Sequence, residues 1–325
     1  MEKTKTRSKE PRLKIGKYNV SRIRESLELY VLLALPVVFL FFMSYAPMPG
    51  IAVAFQDFKL GQKGFFGEHV KWVGLKHFKA FIEGKYFERL MGNTLRISFK
   101  SLLLNFPIPI IFALLLNEVK HLRTKKFIQT ASYLPHFISS VVVAGMVVSF
   151  VETNGLITTL LNKLFNAPNQ NWLSISEAFD TVYICTVVWV GFGFSSILYM
   201  SAISGVDQEL YEAARLDGAT RWQQVWYITL PGILPTISIC LIMDLGAILG
   251  TNTDLILNMY NTGIFDKADC IGTYVYRMGL GVEGSSGLPK YSATAAIGLF
   301  SAVINITMLF IANKLSNWLT DTGLW

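Results

Sequence analysis

The segment richest in chemistry is a polar run between two apolar ones: Asp207-Gln-Glu-Leu-Tyr-Glu-Ala-Ala-Arg-Leu-Asp-Gly-Ala-Thr-Arg-Trp-Gln-Gln-Val-Trp-Tyr-Ile-Thr-Leu-Pro231. Its chemistry is noncovalent. Asp207 is placed to cap a short helix through Glu212, Ala213 and Ala214. Gly218 stops that helix, because the residue just past a helix end commonly needs positive φ. Thr220 and Gln223 have capping-box spacing for a second helix that runs toward Pro231. Two short helices on a glycine elbow make a docking element: Ala213 and Ala214 permit close approach, and Leu210, Tyr211 and Leu216 supply anchors.

Covalent chemistry has little to stand on. The sequence contains no GxxxxGK[ST] loop to cradle phosphates and no HExxH. His69, His77, His121 and His136 are scattered, as are Cys185, Cys240 and Cys270, so neither a metal site nor a disulfide framework is expected. Cys185 and Cys240 read as small buried hydrophobes.

The elements that must position the docking segment are membrane helices. Charged residues make up 16% of the 325 residues and apolar ones 52%, with a mean hydropathy of +0.42. A soluble domain is about 25% charged. The apolar residues fall into six blocks of spanning length: about 27–45 (with Pro36), 94–116 (with Pro107 and Pro109), 131–151, 181–203, 228–257 and 293–315. Lys3, Lys5, Arg7, Lys9, Arg12, Lys14, Lys17, Arg22 and Arg24 precede the first block and hold that end in the cytoplasm. This leader is too long for a signal peptide, and Ser44-Tyr45-Ala46-Pro47 offers no cleavage site, so the first block is read as a retained helix. Six spans then put both termini inside, together with Lys120, Arg123, Lys125 and Lys126 and the docking segment at about 204–230. The segment at about 46–92 falls outside. Its Phe55, Phe58, Phe65, Phe66, Trp72, Phe78, Phe81, Tyr86 and Phe87 suit an aromatic belt or a surface for an external partner. The net charge of +7 is thus a topology signal rather than a nucleic-acid footprint.

Polar residues within spans are candidate substrate contacts. The fifth block holds Asp244, Asn252, Thr253 and Asp254. Trp189, Phe192, Phe194 and Tyr199 in the fourth offer faces for sugar rings. The same residues also suit plain helix packing. Lys100 and Asn105 in the second block are weaker candidates.

At Glu212-Ala213-Ala214, Gly218 and Ile228-Thr229-Leu230-Pro231 the chain resembles the signature loop of permease subunits of bacterial ABC importers. The fuller form through Asp217 and Gly218 is similar to the carbohydrate-uptake branch. Trp72–Phe78, Asn93–Leu95, Ala113–Glu118, Ser132–Phe137 and Gly323-Leu-Trp325 resemble the permeases for complex oligosaccharides, so the likeness runs from about residue 27 onward. It implies an all-α integral membrane protein with the type I importer fold, multi-pass in the bacterial cytoplasmic membrane. It further implies that Tyr211, Glu212, Ala213, Ala214, Asp217 and Gly218 couple to a separate ATPase that binds ATP and Mg, this chain binding no cofactor. A second permease and an extracytoplasmic solute-binding protein complete the expected assembly in lipid. Rival readings are an importer of another solute, a secondary transporter, which would carry inverted repeats that are not seen, and a membrane enzyme, for which no nucleophile and base stand out.

Overall fold

The computed structural model describes residues 27–59, 61, 64–67, 69–282, 288–320 and 323–324. The basic leader, 1–26, and Trp325 lie outside the described residues. Among the described residues, six helices are long and apolar enough to cross a membrane: Leu29–Phe55, Phe87–Asn117, Ser140–Phe165, Ser176–Ser204, Arg221–Gly246 and Tyr291–Trp318. The chain forms two compact units, Met1–Ala52 and Val53–Trp325.

Within the first unit, α1 (Leu27–Leu40) runs through Pro36 into a π turn, Phe41–Tyr45. Its described side chains are all exposed on the isolated chain. A helix apolar all round is stable only with an apolar solvent or partner around it.

In the second unit, α2 (Lys76–Ile82) precedes the second span, built from α3 (Phe87–Asn105) and α4 (Pro107–Asn117). Pro107 sits at the first helical position, where its missing N–H costs nothing. The span begins seven residues before the expected Thr94. Glu88 and Arg89 broke the apolar pattern there, yet Arg89 is ion-paired with the buried Asp269.

The third span differs more. Residues 122–133 form a separate helix, α5 (Leu122–Tyr133), that ends in a 3-10 turn, Leu134–Phe137. Pro135 ends it by lacking an N–H and crowding the preceding turn. Ser139 then caps α6 (Ser140–Val151), its hydroxyl accepting the Val142 N–H at 3.4 Å. After a turn the span continues as α7 (Leu156–Phe165).

The fourth span, α8 (Ser176–Ser204), is unbroken. It meets α5 at Gly193, where a Cβ would lie 2.2 Å from the Ser132 carbonyl oxygen. The docking segment follows as α9 (Gln208–Leu216) and α10 (Arg221–Gln224). A π turn, Val225–Thr229, joins α10 to α11 (Leu230–Gly246) without a break.

The fifth span therefore ends at Gly246, not at Leu257 as the apolar run suggests. Asn305 on the last helix accepts the Leu249 N–H at 3.0 Å, satisfying backbone freed by the break. Asn252 restarts the chain as α12 (Thr253–Met259) by accepting the Leu255 N–H at 3.1 Å. Next come α13 (Phe265–Ala268), α14 (Ile271–Gly279) and the sixth span, α15 (Tyr291–Thr320). Sheet structure among the described residues is one isolated bridge, Gln56 to Trp72.

Three apolar clusters hold these helices. One, around Phe179, Val143 and Ile256, joins α6, α8 and α12. A second, around Ile110, Ile203 and Ile233, joins α4, α8 and α11. The third, around Leu90, Ile271 and Ile297, joins α3, α14 and α15.

Candidate functional site

Two regions carry the expected site residues. The first is the segment after α8. The Asp207 carboxylate accepts the Glu209 N–H at 3.0 Å and opens α9. Gly218 lies at φ +77°, a left-handed conformation that side chains resist. Thr220 and Gln223 close the capping box: the Thr220 N–H donates to Gln223 Oε1 at 2.7 Å, and Thr220 Oγ1 accepts the Gln223 N–H at 3.4 Å.

The two faces of α9 do different things. Gln208, Tyr211 and Arg215 line a polar cavity of about 620 Å³, closed by Asn117, Glu118 and Arg221 at the end of the second span and the start of α10. Arg221 is ion-paired with Glu118. The Tyr211 hydroxyl lies 2.9 Å from that of Thr229, and its ring packs on the second apolar cluster. Tyr211 is thus turned inward and is not the outward anchor its sequence position suggested. Glu212, Ala213, Asp217 and Gly218 are exposed, Ala214 is half-buried, and Leu216 is 90% exposed at the helix end.

The second region is a groove at membrane depth. Three cavities, of about 550, 210 and 190 Å³, meet at Asn105, the last residue of α3. Tyr199 and Asp244 line the largest. Asp244, Thr251 and Asn252 line the second. Asn252 and His136 line the third, where the His136 ring stacks on Phe194 at 3.9 Å. The break after Gly246 is what brings Thr251 and Asn252 to the groove.

The other expected contacts lie elsewhere. Trp189 lines a separate apolar cavity of about 760 Å³ with Phe150, Trp172 and Cys185. Phe192 packs edge-on against Phe112, ring centres 5.0 Å apart. Thr253 opens α12, its hydroxyl 3.4 Å from the Thr251 carbonyl. Asp254 is exposed beside it and lines none of the three cavities.

A charged network went unforeseen. Arg96 grips Asp180 through two bonds, 2.8 and 3.2 Å, and Lys100 adds a third at 2.8 Å. Asp269 is fully buried and takes both Arg277 nitrogens at 2.9 Å and Arg89 at 3.0 Å. Asn93 donates to the carbonyls of Asp266 and Asp269. The Arg277 guanidinium also lies 4.6 Å from the Phe265 ring centre. The signal was the spacing of Arg89, Asn93, Arg96 and Lys100 along one helical stripe. Lys100 is a member of this network rather than a groove residue.

Residues 105–321 match the family model described as "Binding-protein-dependent transport system inner membrane component". The chain is 37% identical to the polygalacturonan/rhamnogalacturonan transport system permease protein YteP of Bacillus subtilis, over 91% of this chain and 90% of that protein. It is 26% identical to the arabinooligosaccharides transport system permease protein AraP of Bacillus subtilis, over 88% and 87%. It also superposes on a chain of a bacterial alginate ABC transporter solved in complex with an alginate pentasaccharide-bound periplasmic protein. That match has a TM-score of 0.79 and 36% identity, covering 95% of this chain and 100% of that one. With these likenesses and its six apolar helices, the chain is a multi-pass membrane protein and belongs to the family of binding-protein-dependent transport system inner membrane components.

Proposed function

We propose that this chain is a permease subunit of an ATP-driven importer of oligosaccharides, lining the translocation path together with a second permease. The carrying observation is the pairing of an exposed, capped helix at the end of the spans with a groove at membrane depth that Asn105, Asp244, Thr251 and Asn252 line. Sugar as cargo rests on relatives named for polygalacturonan/rhamnogalacturonan, arabinooligosaccharides and alginate transport. These glycans include some with carboxylates on every ring and some with none, so the charge of the cargo falls to this chain's own residues.

In this reading both termini, the leader 1–26 and the segment 204–230 face the cytoplasm, and the segment 46–92 faces outward. Glu212, Ala213, Ala214, Asp217 and Gly218 dock on a separate ATPase subunit, which holds ATP and Mg, while Tyr211 braces α9 from behind. An extracytoplasmic binding protein delivers the sugar. Closure of the ATPase subunits moves α9, and the spans switch between outward- and inward-facing states. Asp244, Asn252 and Tyr199 touch the cargo, and this chain does no covalent chemistry.

The test is uptake by the chain co-expressed with its ATPase, second permease and binding protein. Gly218→Pro cannot adopt the φ of +77°. Glu212→Lys reverses a charge on the exposed face. Both variants are expected to insert normally and lose ATP-dependent uptake. Full transport by either rejects the coupling role.

A further inference from the structure

The groove holds buried polar atoms that the protein itself leaves unbonded. Asn105 Oδ1 and Thr251 Oγ1 are both shielded and have no hydrogen-bond partner within the described chain. At membrane depth such groups are costly, and side chains of matching shape without polar atoms would be cheaper there. Asn105 joins all three cavities, and Asp244 borders two of them. Asn105 Oδ1 lies against Gly191 of α8, where a Cβ would be 3.5 Å away. Polar groups retained at such cost, gathered where cavities meet, mark a binding site rather than a packing device.

The charges narrow the ligand. Among the described residues lining the three cavities, Asp244 is the one carboxylate, and neither Lys nor Arg occurs. The cations of the spans nearby, Arg96 and Lys100, bind Asp180 instead. A carboxylate accepts two hydroxyl hydrogens at once, an amide both donates and accepts, and a threonine hydroxyl does either. That set fits the hydroxyls of a sugar ring. The amide, the hydroxyls and His136 could also donate to a uronate carboxylate, so discrimination rests on Asp244, whose negative charge a uronate would meet with no Lys or Arg beside it.

We infer that Asn105, Asp244 and Thr251 form a subsite for an uncharged pyranose or furanose ring, and that this chain's share of the path selects neutral over uronate oligosaccharides. The inference rests on the sugar-importer reading and names the class of sugar.

The experiment uses the complete complex in proteoliposomes, offered arabinotriose, maltotriose and trigalacturonate in parallel. Wild type is expected to take up a neutral trisaccharide and not trigalacturonate. Asp244→Asn should lower neutral uptake by roughly tenfold or more, because a charged hydrogen bond is lost. Asn105→Leu should raise the melting temperature of the purified complex while lowering uptake. A residue that only packs helices would not separate those two readouts. Uptake of trigalacturonate by wild type overturns the inference, as does wild-type uptake by both variants. Loss of the second permease from Asn105→Leu also overturns it, since the amide would then be bridging the subunits. Uptake of no sugar of either kind, with uptake of another solute, rejects the sugar-importer reading itself.

Discussion

The two ends of α8 are held in opposite ways. Near its start, Asp180 is buried under Arg96 and Lys100, beside the network in which Asp269 binds Arg89 and Arg277. Beyond its end, α9 stands on one half-buried tyrosine, a capping aspartate and a positive-φ glycine, with most of its surface exposed. One end is over-determined, since each carboxylate has more than one cation and loses little if a single bond stretches. The other is braced by few contacts on one face only. Regions that dock and move are drawn from thinly braced elements, because each added contact raises the cost of leaving the resting position. The difference assigns rigidity to the network and compliance to the docking helix.

The largest effect is expected at the rigid end. Asp269→Ala leaves Arg277 and Arg89 facing each other without their carboxylate, at a cost of about 3–5 kcal/mol. A thermal unfolding curve in detergent reads this directly, and an unchanged midpoint breaks the contrast between the ends. Cys270 adjoins the same network. Burial pushes its thiol up from 9.0 to about 12. A group with a raised folded value stabilises fully below its unfolded value, and that contribution is lost as pH rises toward the folded one. Native stability should therefore fall above pH 9, by about 1.4 kcal/mol per pH unit from this group. Cys270→Ser or Cys270→Ala should flatten the slope.

Smaller effects are expected at the compliant end. Thr220→Ala removes the cap of α10 and should cost about 1 kcal/mol. Hydrogen exchange confined to 219–224 would locate that loss, whereas exchange spread through the spans would show the two ends to be coupled. Glu118→Gln breaks an ion pair whose side chains are 37% and 61% exposed. Such pairs contribute about 0–1 kcal/mol, so the midpoint should barely move while the start of α10 loosens.

These two ends were also unequally legible in sequence. Asp207, Gly218, Thr220 and Gln223 act on neighbours a few residues away, so spacing alone predicted each cap and the turn. Partners in the charged network lie far apart: Arg96 and Asp180 are 84 residues apart, and Arg89 and Asp269 are 180 apart. No local pattern encodes such pairs, and isolated charges in an apolar run looked like span boundaries. Apolar composition found the spans but not their interruptions. Ala247–Leu257 reads as a continuation of the fifth span because hydropathy does not register Asn305, on another helix, which satisfies the backbone at the break. Trp189 and Phe192 were placed at the groove by residue type, yet α8 turns them toward other neighbours. Asn105 gained its importance only when three cavities proved to share it.

The π turn at Val225–Thr229 has a consequence for angular phase. A π turn carries one residue more than an α turn, and each residue advances a helix by about 100°. Everything beyond Thr229 is rotated by that amount relative to an uninterrupted continuation of α10. Asp244 and Asn105 line the same cavities with that offset in place. Winding the same residues as regular α-helix would swing the Asp244 carboxylate about 100° off the groove, whereas deleting one residue within 225–229 would restore regular winding and leave that facing unchanged.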